Sequence, residues 1–195
     1  MRILSGKLKG SKILTSNSKV EGSESFITRP TSDRVKETLF NIIQHGFNID
    51  FIEASFFDSF SGSGAVGLEA ISRGASKVSF LDKDRAACEC IRKNMDNFKL
   101  YENDKSKTFC VLNHDFFDKN FSLNDKFDIV FIDPPYDLVK SSEVFIRLKE
   151  LSVTKINSLI IYEGNRKLEK VDGFQIQKSR KIGKTYLSFF KVENH

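Results

Sequence analysis

Apolar and polar positions follow two rhythms along this chain of 195 residues. Short apolar runs bounded by turn-forming residues read as strands at 55–60, 77–81, 107–112, 127–132 and 157–162. Helical spacing occupies 65–73, 84–98 and 140–150; Leu68 and Ile71 share a face in the first, and Asp84 lies in the opening turn of the second. Strand and helix alternating in this way predict a parallel sheet with helices on both faces. Two further alternating runs, 174–179 and 185–192, meet at Gly183 and predict a β-hairpin, giving seven strands in all. Ahead of the alternating region, residues 2–4 and 11–14 read as a short hairpin. Thr31 or Ser32 then caps a helix whose Val35, Leu39, Ile42 and Ile43 form one face, and Gly46 ends it. The expected organisation is a basic N-terminal β-hairpin extension, residues 1–28, followed by one α/β domain, residues 29–195.

The chemistry-bearing residues fall at the ends of these strands, where open α/β sheets bind their ligands. Asp133-Pro134-Pro135-Tyr136 follows the buried run Phe127-Asp128-Ile129-Val130-Phe131-Ile132. Two prolines fix two φ angles and remove two donors, which leaves the Asp133 carboxylate and the Pro134 carbonyl as acceptors beside an aromatic ring. Such a set suits the amine of a nucleobase, with Tyr136 stacking on the ring. A plain strand terminator followed by a turn is the competing reading. Upstream, Asp58-Ser59-Phe60-Ser61-Gly62-Ser63-Gly64-Ala65-Val66-Gly67 places a Gly-x-Gly-x-x-Gly loop between strand and helix. That spacing alone also serves dinucleotides. Asp58 separates the two, because a carboxylate there repels a pyrophosphate and attracts the ammonium of an amino-acid tail such as that of S-adenosylmethionine. Asp82, ending the next strand, has the reach to accept both ribose hydroxyls.

Taken together, Asp58 to Ala75, the stretch Arg29-Pro30-Thr31-Ser32-Asp33-Arg34-Val35-Lys36-Glu37-Thr38-Leu39-Phe40-Asn41, Asp133 to Tyr136, and the opening Arg2-Ile3-Leu4-Ser5-Gly6-Lys7-Leu8-Lys9-Gly10 resemble the RsmD family of bacterial 16S rRNA guanine-N2 methyltransferases. The likeness covers nearly the whole chain. It departs at Asp82, where a glutamate is common, and at Glu21 to Phe26, which make a slightly longer loop. The resemblance implies a Rossmann-like class I fold, with a seven-stranded, mostly parallel sheet and an antiparallel C-terminal hairpin. It implies methyl transfer from S-adenosylmethionine to N2 of a guanine, by family guanine 966, of 16S rRNA in the small ribosomal subunit or its assembly intermediate. Carried over residue by residue, the cofactor site comprises Asp58, Phe60, Gly62, Ser63, Gly64, Asp82, Lys83, Asp115 and Phe116, with Asp115 on the adenine amino group. Catalysis falls to Asp133, Pro134, Pro135 and Tyr136.

Charge sharpens the picture when divided. The net charge is +5, and residues 1–20 hold five cations, Arg2, Lys7, Lys9, Lys12 and Lys19, with no acid. The last 31 residues are also basic, so the catalytic middle is acidic. Basic ends around an acidic centre suit a polyanion gripped at the edges and a cationic cofactor between, with Arg2, Lys7, Lys9, Lys12, Arg29 and Arg34 as the expected RNA contacts. A merely solvated surface is the bland alternative. Cys88, Cys90 and Cys110 lack metal-ligand spacing, so no metal is expected, and His114 reads as an ordinary loop residue. Most of the 19 phenylalanines must be core. Without a secretory or membrane-spanning segment the chain is expected to be a cytoplasmic monomer. Three other functions stay open: an adenine-N6 methyltransferase, a nicotinamide oxidoreductase, which leaves Asp58 and Asp133 unexplained, and a non-catalytic RNA-binding or assembly protein.

Overall fold

The computed structural model describes residues 1–15, 32–100, 107–135 and 139–193. Thr31, Lys19, Arg29, the loop Glu21 to Phe26 and Tyr136 lie outside them. Helix α1, Asp33–Asn41, starts at Ser32, whose hydroxyl accepts the Val35 N–H at 3.3 Å. It runs into a π turn, Ile42–Gly46, so the single helix expected to end at Gly46 does end there but widens over its last five residues. Strand β1 (Ser55–Ser59), helix α2 (Ala65–Arg73), strand β2 (Lys77–Asp82), helix α3 (Arg85–Asn97) and strand β3 (Thr108–Asn113) follow. Asp84 stands just before α3 as its cap, accepting the Ala86 N–H at 2.9 Å. Then come β4 (Phe127–Ile132), α4 (Ser141–Leu151), β5 (Thr154–Gly164), β6 (Phe174–Ile182) and β7 (Thr185–Val192).

The seven strands form one sheet in the order β3-β2-β1-β4-β5-β7-β6. The first five run parallel, while β7 is antiparallel to both β5 and β6. Side chains of successive strand residues go to opposite faces, so Phe56 and Phe57 enter two different cores. One core packs Phe56, Phe80, Phe131 and Ile161 against apolar residues of α1, α2 and α3. The other packs Phe57, Val130, Ile132 and Ile160 against Val144, Phe145 and Leu148 of α4. Strand order reverses between β1 and β4, and the crevice of such a sheet opens beyond the carboxyl ends of those two strands.

Residues 1–15 are strapped to the first face. Arg2 bridges Lys12, and Ile3 and Ile13 are buried in the core of α1 to α3. Glu69 of α2, fully buried, accepts the Leu4 and Ser5 N–H groups at 2.7 and 3.0 Å. Ser72 accepts from Lys7 and Leu8, and Asn94 of α3 both donates to and accepts from the Leu14 backbone. Gly6, at φ +81°, lies so close that a Cβ there would sit 1.9 Å from the Ser72 carbonyl oxygen. Lys36, also fully buried, donates to the Arg2 carbonyl at 2.7 Å and pairs with Asp33.

Candidate active site

The loop after β1 is tied down at every turn. Ser61 N–H bonds the Leu81 carbonyl at 3.0 Å, its hydroxyl accepts the Leu81 N–H at 2.9 Å, and Gly64 N–H closes back on the Ser61 carbonyl at 2.7 Å. The glycines then divide the work. Gly62, at φ +52°, has nothing within 4 Å of where a Cβ would stand, so its face is open to a ligand. Gly67 is different: a Cβ would fall 2.3 Å from the Phe80 ring, so its bareness lets α2 approach β2.

Two carboxylates hold this loop in place. Asp82 accepts the Gly62 N–H at 2.7 Å through one oxygen and the Asp84 N–H at 2.9 Å through the other. Burial pushes its carboxyl up, countered by those two N–H groups. Asp58 is almost wholly buried and accepts the Gly67 N–H at 2.9 Å. Desolvation pushes its carboxyl up to about 8, against the pull of Gly67 and with a further push from Asp82. Lys83 is exposed at the mouth of the loop, where its charge favours ionised Asp82.

Across the switch point, Ser59 pairs with Ile132, which puts Asp133 just beyond the end of β1. Asp133 is half-buried, Pro134 buried and Pro135 exposed. Burial first, then Glu163 and Asp58, raise the Asp133 carboxyl well above the ordinary range. Glu163 was not singled out in the sequence, although its signal is there: an acid directly after the apolar Leu159-Ile160-Ile161-Tyr162. It is the penultimate residue of β5, on the far side of Asp133, and only 4% exposed. Asp58, Asp82, Asp133 and Glu163 thus gather on one edge, where a cationic ligand would favour their ionised forms.

The wall beyond β3 is aromatic. Phe60, at φ +61°, lies 4.9 Å from Phe116, which is buried, and Phe117 stands edge-on to Phe116 at 5.2 Å. Asp115 is exposed and accepts the Phe117 N–H at 2.9 Å. This loop is held by a second residue that the sequence reading passed over. Arg147 of α4 donates to the carbonyls of Phe116, Asp118 and Phe121 at 2.9, 2.7 and 2.7 Å. A charge among Val144, Phe145, Leu148 and Leu151 was the available sign. His114 stacks on Phe121, and the Cys88 thiol is pushed up to about 11 by burial, which makes it unreactive. Among the described residues there is no metal-ligating cluster and no helix long and apolar enough to cross a membrane. Arg2, Lys7, Lys9, Lys12 and Arg34 are all exposed.

A sheet of this order with a glycine loop after β1, an acid after β2 and an acceptor-Pro-Pro turn after β4 is a class I methyltransferase fold. The chain belongs to the family described as Conserved hypothetical protein 95, the RsmD family, whose model matches residues 1–191. It is 36% identical over 165 residues to ribosomal RNA small subunit methyltransferase D of Haemophilus influenzae, covering 84% of this chain and 78% of that one. The protein of the same name from Buchnera aphidicola of Acyrthosiphon pisum is 32% identical over 168 residues, covering 85% and 78%. The solved structure of yhhF from Escherichia coli superposes with a TM-score of 0.76 at 28% identity, covering 99% of this chain and 98% of that one.

Proposed function

We propose that the protein methylates the exocyclic N2 of a guanine in 16S rRNA of the small ribosomal subunit or its assembly intermediate, using S-adenosylmethionine. The observation that carries this reading is the placement of Asp133 across the switch point from the Gly62 loop, with Asp58 between them in charge contact. The names of the relatives support the rRNA substrate.

The residues present fit the cofactor. Gly62 offers an open backbone face, Asp82 keeps further lone pairs beside it for a ribose, and Asp58 has one oxygen beyond its Gly67 bond for an ammonium. Phe60 and Phe116 furnish an apolar wall for an adenine, with Asp115 exposed at its rim for the amino group. Ser63 and Lys83 border the same cleft in sequence. When bound, S-adenosylmethionine supplies a sulfonium methyl.

Guanine N2 is a poor nucleophile because its lone pair is delocalised into the ring. Asp133 and the Pro134 carbonyl accept its two hydrogens and so aim that lone pair across the switch point. Positive charge that develops on nitrogen is stabilised by the Asp133 carboxylate, which takes the departing proton. A raised proton affinity suits that second task. Tyr136 is assigned the stacking contact and Pro135 the rigidity of the turn. Exposed Arg2, Lys7, Lys9, Lys12 and Arg34, with Arg29, grip phosphates around the target.

The test is transfer of labelled methyl to RNA from a strain lacking the protein, followed by nucleoside analysis. N2-methylguanosine in small-subunit rRNA is the expected product. N6-methyladenosine would install the adenine reading instead, and cofactor binding without transfer to any RNA would leave an assembly protein.

A further inference from the structure

Orienting an amine uses Asp133 and Pro134, and Glu163 stands next to them on the same edge of the sheet. In the β4–β5 ladder Ile132 pairs with Tyr162, so the next step along both strands sets Asp133 beside Glu163. Paired residues of parallel strands face the same side, and Asp58 pairs with Phe131, two residues before Asp133. All three acids therefore belong to one face of the edge, and Asp133 feels the charge of both others. On its other flank Glu163 pairs with Leu187 of β7, which is fully buried. The register therefore sets a second carboxyl immediately beside Asp133 on the edge where the proposed base enters.

The two candidate bases differ at the atom next to the amine. In guanine the N2 amine adjoins N1–H, a donor; in adenine the N6 amine adjoins N1, an acceptor. Two carboxyls side by side, in their ionised forms, match a continuous row of donors, and they set a lone pair against a lone pair when adenine enters. We propose that Glu163 accepts the N1–H of the target guanine while Asp133 holds the N2 amine, which makes Glu163 the residue that selects guanine over adenine. This rests on the N2 reading above and adds to it the means by which the base is chosen.

The analogue 2-aminopurine separates the two acids, since it keeps the C2 amine but presents N1 as an acceptor. The guanine that the wild-type protein methylates, mapped by nucleoside analysis, is replaced by 2-aminopurine in a ligated RNA. Wild-type kcat/KM should be at least about 100-fold lower on the analogue than on guanine, the scale on which a site built for a donor rejects a base lacking it. Glu163→Gln can turn its amide N–H toward N1. In that variant kcat/KM on guanine should fall by about 10–100-fold, and the preference over 2-aminopurine should shrink at least tenfold. The analogue's fluorescence gives a binding readout without turnover: titrated with protein, the variant should bind the analogue RNA more tightly than wild type does. An unchanged preference in a variant with wild-type melting and cofactor affinity overturns the proposal. So does equal use of guanine and 2-aminopurine by the wild-type protein, an arm that needs no variant. Failure of the N2 reading is seen separately, as the absence of N2-methylguanosine from the wild-type reaction, and it removes the proposal with it.

Discussion

Asp58→Asn tests the electrostatics of the site most directly. The wild-type carboxyl is pushed up to about 8 from an ordinary 3.8, chiefly because it is desolvated. Across that window the native state keeps a proton that the unfolded chain has released, so stability falls as pH rises. Each pH unit is worth about 1.4 kcal/mol, so from pH 6 to pH 8 this one group should remove roughly 2–3 kcal/mol before the curve flattens. The contribution is complete below the unfolded value near 3.8. Asparagine has the same shape, can still accept the Gly67 N–H, and does not titrate. Urea unfolding of both proteins at pH 6, 7, 8 and 9 gives the difference directly, since the other raised carboxyls are common to both. The variant should gain on wild type by that amount as pH rises. Parallel pH profiles would refute the reasoning, because a carboxyl ionised at its ordinary value leaves no slope to remove.

The same substitution probes the cofactor. An ammonium placed beside Asp58 draws out its proton, so S-adenosylmethionine binding to wild type at pH 7 should release close to one proton. Calorimetry in buffers of different ionisation enthalpy counts it. Asp58→Asn should release correspondingly fewer and bind more weakly; equal proton release in the two proteins would take Asp58 out of the ammonium site.

Asp133→Asn should lower turnover by roughly a hundredfold or more, the scale for losing a preorganised electrostatic partner, with cofactor affinity nearly unchanged by calorimetry. Because the ionised form is proposed to orient the amine and burial raises its proton affinity, wild-type kcat/KM should climb with pH above the ordinary carboxylate range, and the Asn variant should lose that climb. Asp82→Ala deletes an acceptor from the proposed ribose site and a bond to Gly62, so S-adenosylmethionine binding should weaken by about 1.5–3 kcal/mol. Gly67→Ala drives a methyl into the Phe80 ring and should cost about 1–3 kcal/mol in urea unfolding. Changing Arg2, Lys7, Lys9 and Lys12 together to alanine should flatten the log–log salt dependence of RNA binding by up to about 3 units, with cofactor affinity kept.

The layered fold was legible because its signals are local. Apolar runs, helical spacing and the Gly183 turn each mark an element within its own residues, and α2 was delimited at Ala65–Arg73 by the glycines on either side. Strand ends were less legible. β5 extends to Thr154–Gly164, past the expected 157–162, because pairing with β4 and β7 recruits residues that carry no apolar signal. Glu163 was passed over for that reason: in the sequence it looks like the residue after a strand, whereas the ladder carries it into the site. Arg147 escaped notice because its partners are backbone carbonyls more than twenty residues away, and carbonyls have no letter in a sequence.

The basic N-terminus shows the same limit from the opposite side. Its cations were plain to see, but its anchorage depends on pairs 64 to 80 residues apart, Glu69 with Leu4 and Ser5, and Asn94 with Leu14. Glu69 and Ser72 lie on α2, the helix whose first turn donates the Gly67 N–H to Asp58. One rigid helix therefore holds the proposed phosphate grip at one end and the glycine loop at the other. The cations are accordingly fixed in register with the proposed methyl-transfer site, which is what the proposed reading needs of an enzyme that finds one base on a large folded RNA by shape. That connection also decides how the grip must be tested. Removing the segment outright would expose Ile3 and Ile13 contacts and leave Glu69, Lys36 and Asn94 buried without the backbone groups they serve, so lost activity would report lost structure. Substituting the exposed side chains alone leaves every one of those backbone bonds in place, and only then does a change in salt dependence speak about RNA.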